Sequence, residues 1–197
     1  MSQRIAFFDF DGTITTKDTL LEFVKFSKGS LRFYLGFFLT SPWMVAYKLK
    51  LTSNHKAKEK FLTWFFSNTP QPIFQDWCQR FAAEVLPGLI RPKALTEIAK
   101  LQELGATVVI VSASPENWIQ PWSGPMGIQL IATRLTLKKD QLTGKIEGLN
   151  CHGKEKVNRI KENYTLSDYN EIVAYGDTSG DRPMLDMANI SFYQPFR

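Results

Sequence analysis

Carboxylate, hydroxyl and ammonium side chains that could do chemistry together recur at matching places along this chain, each just past an apolar run or at the start of a helical one. Asp9-Phe10-Asp11-Gly12-Thr13 closes an apolar stretch that begins at Ile5. A carboxylate can attack phosphorus and carry the phosphoryl group covalently, which makes Asp9 a candidate nucleophile. Residues two apart on a strand point the same way, so Asp11 can stand over the same substrate, protonate a departing alkoxide and then activate water. Ser112 follows the apolar run 106–111 and offers a hydroxyl to a phosphoryl oxygen, while Lys156 offers an ammonium against the charge that develops there. Asp177 lies in Gly176-Asp177-Thr178-Ser179-Gly180-Asp181. With Asp9 and the main-chain carbonyl of Asp11 it supplies oxygen donors of the kind Mg2+ prefers, so Mg2+ is the expected cofactor and a phosphomonoester the expected substrate.

These residues form one site only if the fold brings them to one edge. Residues 5–10, 106–111, 128–132, 171–175 and 190–193 read as strands, and 135–148 as a hairpin with turn chemistry around Asp140 and Gly144. Residues 92–104, 154–163 and 181–188 read as helices. Strands alternating with helices imply an α/β fold with a mainly parallel sheet covered on both faces, and in such sheets ligands bind beyond the carboxyl ends of the strands. Between residues 19 and 83 the pattern is helical instead, about four helices, with breaks expected at Gly29-Ser30, Ser41-Pro42, residues 52–54 and residues 70–72. The expected organisation is a Rossmann-like core of residues 1–13 and 85–197, with an α-helical cap of residues 14–84 inserted after the first strand.

DFDGT, the SAS after VVIV, the lysine in CHGKEKV, and GDTSGD together resemble the four ordered motifs of the haloacid dehalogenase (HAD) superfamily of phosphohydrolases. The insertion after the first motif resembles the cap (C1 type) of subfamily IB, which includes phosphoserine phosphatase and a bacterial phosphatidylglycerophosphate phosphatase. Carried onto this chain, the resemblance implies that Asp9 forms an aspartyl-phosphate and Asp11 is the acid and base. Ser112 and Lys156 bind phosphate, joined by Thr13 and Ala113. Asp9, Asp11 and Asp177 hold magnesium. Asp181 supports the metal or orients Lys156, with Thr178 beside it. Asp18 corresponds to the glutamate by which phosphoserine phosphatase helps recognise its substrate's amino group, and the shorter side chain argues against phosphoserine. Asp11 also favours a phosphatase over a dehalogenase, because halide departure needs no proton donor.

Plainer roles compete at several positions. Ser114 is placed to cap the helix starting near Pro115, Asp181 to cap the last helix, and Lys156 is preferred to Lys154 because Val157 follows it as in the family's pattern. Asp186 reads as a solvated helix residue, and His55 and His152 as non-catalytic. Cys78 and Cys151 show neither zinc spacing nor a disulfide framework, which fits a reducing cytoplasm, and the N-terminus does not read as a signal peptide.

Residues 14–84 carry ten basic and five acidic side chains, so the whole net charge of +5 resides there, together with most of the aromatic rings. The charge-free run 33–47 is too short to span a bilayer. Its rings either pack the cap's own core or lie on an anionic membrane surface, which would make the protein peripheral at a membrane's inner face. No nucleic-acid recognition motif accompanies the bases, so no nucleic-acid partner is expected. The substrate is accordingly open between a phospholipid head group and a small soluble ester such as phosphoserine. A membrane- or protein-binding module on an inactive scaffold is the alternative of another class.

Overall fold

The computed structural model describes residues 3–197. Its first strand, β1 (Arg4–Phe8), runs through a single wide turn at Phe10–Ile14 into four helices: α1 (Thr19–Lys28), α2 (Ser30–Lys48), α3 (Asn54–Phe66) and α4 (Gln71–Glu84). Then follow α5 (Pro92–Glu103), β2 (Thr107–Pro115), α6 (Glu116–Ser123), β3 (Gln129–Lys138), β4 (Gln141–Glu147), α7 (Lys154–Asn163), β5 (Glu171–Gly176), α8 (Arg182–Met187) and β6 (Ile190–Tyr193). The six strands form one sheet in the order β4-β3-β2-β1-β5-β6, parallel except for the β3–β4 hairpin. The fold is the expected α/β architecture.

β1 is central, and Ile5, Ala6, Phe7 and Phe8 are all fully buried because both faces of the sheet are covered. The period of two divides them. Ile5 and Phe7 pack with Val109, Val111, Ile160 of α7 and Met184 of α8, whereas Ala6 and Phe8 pack with Val108, Ile110, Ile98 of α5 and Trp118 of α6. The second cluster continues into the helices, where Trp118 stacks on Phe23 at 4.5 Å and Phe66, Phe74 and Phe81 surround that ring. The rings of residues 14–84 are thus divided: these are core, while Tyr34, Phe38, Trp43 and Trp64 are exposed. No helix of the described residues is long and apolar enough to cross a membrane.

Two expectations need correction. Ser41-Pro42 does not break the helix, because α2 runs through it. Pro42 has no N–H for the Phe38 carbonyl, but the Ser41 hydroxyl donates to that carbonyl at 2.7 Å and replaces the missing bond. Gly144 is not a turn residue but lies within β4; the hairpin turns at Lys139-Asp140, both at positive φ. Gly144 is there because α3 presses on the strand, and a Cβ would stand 2.3 Å from the Thr63 Cα.

The chain enters and leaves the helical segment side by side. Thr15 and Ile90 form an antiparallel bridge, the Thr16 N–H donates to the Leu89 carbonyl (2.8 Å), and the Arg91 N–H donates to the Ile14 carbonyl (2.8 Å). A second tie joins the segment to the hairpin through Asn68 N–H to the Leu142 carbonyl (2.8 Å) and Leu142 N–H to the Thr69 carbonyl (2.9 Å).

Candidate active site

The main-chain N–H of Asp9 donates to the Tyr175 carbonyl at 2.9 Å, so β1 and β5 end together and deliver Asp9 and Asp177 to one edge. Both are buried, as is Asp181. α7 brings in Lys156, only 1% exposed, whose ammonium donates to Asp9 Oδ1 and to Asp181 Oδ1, each at 2.6 Å. Lys154 is exposed at the start of the same helix, so Lys156 is the lysine that reaches the site.

The charges are unequally compensated. Burial pushes the Asp9 carboxyl up, to about 7, with Asp181 and Asp11 adding to the push against the opposing pull of Lys156. Burial and Asp181 likewise raise Asp177, although Arg197 Nη2 donates to its Oδ2 at 2.6 Å. Burial would raise Asp181 too, but Lys156 and the Thr178 donors outweigh it and hold that carboxyl below its ordinary range. Asp181 Oδ2 accepts from the Asp177 N–H (3.2 Å), the Thr178 N–H (2.9 Å) and the Thr178 hydroxyl (2.8 Å). Asp181 therefore braces Lys156 and its own loop rather than capping α8 through its side chain.

One carboxylate oxygen from each of Asp9, Asp177 and Asp181 lies within 4.8 Å of the others. Asp181 is already saturated by its donors. Among the described residues, only the Thr13 hydroxyl stands between Asp9 Oδ2 and Asp177 Oδ1, at 3.1 and 3.3 Å, and its single proton serves two acceptors. Hard, buried, under-compensated oxygens are what a small divalent cation requires, so Asp9 and Asp177 fit magnesium. The Asp11 carboxylate, expected among the magnesium ligands, is not in this cluster.

Asp11 turns its carboxylate elsewhere. Its Oδ1 accepts from the Thr19 N–H (2.7 Å) and hydroxyl (2.6 Å), and its Oδ2 from the Ser114 hydroxyl (2.6 Å). Ser114 is therefore not a cap for α6, whose first turn receives no side-chain bond; it anchors Asp11. Trp118 Nε1 donates to the Thr19 hydroxyl (3.1 Å) and fixes that side of the clamp.

A cavity of about 460 Å³ lies over these groups, with Asp9, Asp11, Ala113, Lys156 and Thr178 in its base and Leu20, Leu21, Met44, Tyr47 and Phe61 in its upper wall. Asp18 is on the wall and also caps α1, its Oδ1 accepting from the Leu21 N–H at 3.1 Å. Ser112 is fully buried beneath, accepting from the Ser114 N–H at 3.0 Å, and Thr13 sits between the carboxylates; neither lines the cavity. The wall also holds ionisable residues outside the expected site set, among them His152, read from the sequence as non-catalytic, and Lys58, not singled out at all. His152 reaches the wall from the loop before α7, with burial and Lys156 lowering its basicity. Lys58 of α3 donates to the Ala113 carbonyl at 2.6 Å, and burial lowers its pKa. Nothing local marks Lys58 among the ten bases of its segment.

Gly12 is required twice over. Its φ is +84°, and a Cβ would stand 2.4 Å from Asp177 Oδ2. Gly12→Ala is expected to cost about 1–2 kcal/mol in backbone strain and to displace Asp177. Calorimetric titration with magnesium should then show affinity lowered at least about tenfold.

Comparison with known proteins agrees with this geometry. The chain is 35% identical over 192 residues to Protein CicA of Caulobacter vibrioides, covering 96% of this chain and 85% of that one. It superposes on a Bordetella pertussis Tohama I protein of unknown function with a TM-score of 0.84 at 22% identity, covering 97% and 89% of the two chains. A structure described as a phospho-aspartyl intermediate analogue of phosphoserine phosphatase matches with a TM-score of 0.65 at 21% identity, covering 97% and 86%. The profile of the haloacid dehalogenase-like hydrolases matches residues 6–186, a span that takes in the ends of β1, β2 and β5 and the start of α7 together, and the chain belongs to that family.

Proposed function

We propose that this chain is a magnesium-dependent phosphatase that hydrolyses a phosphomonoester through an aspartyl-phosphate on Asp9. The observation that carries this reading is the pairing of two differently held carboxylates at one cavity: Asp9 on Lys156 at 2.6 Å, and Asp11 clamped by Thr19 and Ser114. Asp9 attacks phosphorus, the ester P–O bond breaks, and Asp11 gives its proton to the leaving alkoxide. Asp11 then takes a proton from water as that water attacks phosphorus, inorganic phosphate departs, and Asp9 is regenerated. Lys156, with the Ala113 main chain, offsets charge on the transferring group, and Ser112, buried beneath the cavity, holds the Ser114 N–H rather than the phosphoryl group. Magnesium held by Asp9, Asp177 and the Asp11 carbonyl would neutralise the buried carboxylates and polarise a phosphoryl oxygen.

Residues 14–84 act in this reading as a cap over the cavity, excluding bulk water and selecting the leaving group. Beside Lys48, Asn54 and Lys58, the wall residues Leu20, Leu21, Met44, Tyr47 and Phe61 suit a leaving group with an apolar portion, such as the glyceride part of a phospholipid, better than phosphoserine. Phosphate release from aryl phosphate, phosphoserine and phosphatidylglycerophosphate in mixed micelles tests both levels. Chelation is expected to lower turnover at least about a hundredfold, excess magnesium to restore it, and the lipid to be preferred. Turnover unchanged by chelator would overturn the magnesium reading.

A further inference from the structure

α2 is apolar almost all round, yet it buries only one narrow stripe. Phe33, Gly36 and Thr40 face inward, while Leu31 (86% exposed), Tyr34, Leu35, Phe38 (74% exposed), Trp43 and Val45 face solvent. A helix apolar on every side is ordinarily enclosed, and a continuous exposed apolar face marks a contact surface. The occupant is indicated by charge. α2 contains no acidic residue, Arg32 and Lys48 stand near its two ends, Lys50 follows it, Lys28 at the end of α1 lies over the Trp77 ring at 4.3 Å, and Lys60 of α3 lies over the Trp43 ring at 5.0 Å. None of these five bases has a salt-bridge partner among the described residues. A second copy of the chain would set like charges against one another, whereas anionic lipid complements them. Lys28 and Arg32 also flank a cleft of about 280 Å³ floored by Leu35, Trp64 and Phe65, which pairs cations with apolar surface as a lipid phosphate and its glyceride stem require.

We propose that α2 is an interfacial helix that lies in the head-group region of an anionic membrane, along its whole length of about 28 Å, and presents the cavity to lipid phosphomonoesters. Tyr47 and Lys48, at the C-terminal end of α2, are part of the cavity wall, so docking by this face puts the cavity mouth at the lipid surface. The choice of substrate rests on the phosphatase reading; the docking itself does not.

Co-sedimentation with phosphatidylcholine vesicles, with and without phosphatidylglycerol, tests the docking. The expected result is at least about tenfold stronger partitioning onto the anionic vesicles at low salt, reversed at high salt. Leu31→Glu/Phe38→Glu should abolish it while aryl phosphate hydrolysis stays unchanged, which shows the variant folded. Protein left in the supernatant with anionic vesicles would overturn the proposal, as would binding indifferent to Leu31→Glu/Phe38→Glu. So would a dimer, seen by sedimentation velocity without vesicle binding, that the same double variant dissociates. Vesicle binding by a protein that releases no phosphate would uphold the docking and sink the catalytic reading.

Discussion

Asp9→Asn should lower kcat toward aryl phosphate by roughly four orders of magnitude or more while leaving the fold intact. The amide matches the carboxylate in shape, its carbonyl can still accept from Lys156, and Lys156 keeps Asp181 at 2.6 Å. What the amide lacks is a nucleophilic oxygen. The same substitution has a stability signature with a definite sign. Burial holds the Asp9 carboxyl at about 7, above its unfolded value, so in chelator the folded state binds the proton more tightly than the unfolded one. Wild-type stability is therefore drained as pH rises from the unfolded carboxyl pKa through about 7. Asp9→Asn removes that drain, so in chelator the variant should match the wild type near pH 4, gain on it progressively up to about pH 7 and keep a constant advantage above that. Denaturant unfolding across that range, beside steady-state kinetics, reads both effects.

Lys156→Met attacks the other end of the same contact. One buried ammonium serves Asp9 and Asp181, and its removal strands two carboxylates in a site that water reaches poorly. Breaking a buried ion pair from one side costs about 3–5 kcal/mol, which for a chain of this size lowers Tm by roughly 10 °C. Turnover should fall as well, since Asp9 loses the group that orients it. Lys154→Met, two residues away and exposed, is the matched control and should shift stability by no more than about 0.5 kcal/mol. Equal effects of the two substitutions would remove Lys156 from the site.

The sheet and the catalytic edge were legible because they rest on short-range signals. β1, β2 and β5 are unbroken apolar runs stopped by polar residues, and a strand buried on both faces that ends in Asp or Ser gives both its own limits and the site's position. What was not legible depends on partners distant in sequence. Pro42 reads as a break until the Ser41 hydroxyl is seen on the Phe38 carbonyl. Gly144 reads as a turn until α3 is seen against it. Ser114 looked like a cap because it precedes a helix, whereas its bond runs to Asp11, far back in the chain. Lys58 carried no local mark, since only the folding of α3 over β2 sets it on the Ala113 carbonyl. The ring-rich segment could be counted but not divided between core and surface, because α2 has no polar face to show which side turns inward.

Rapid acid quench of the magnesium-loaded protein during turnover of a phosphorus-labelled ester tests the central claim most directly. The expected result is label bound to protein within the first turnover, released by hydroxylamine, mapped to the peptide containing Asp9 and absent from Asp9→Asn. Phosphate release at full rate with no label on the wild-type protein at any time would contradict the aspartyl-phosphate and return the reaction to direct attack by water.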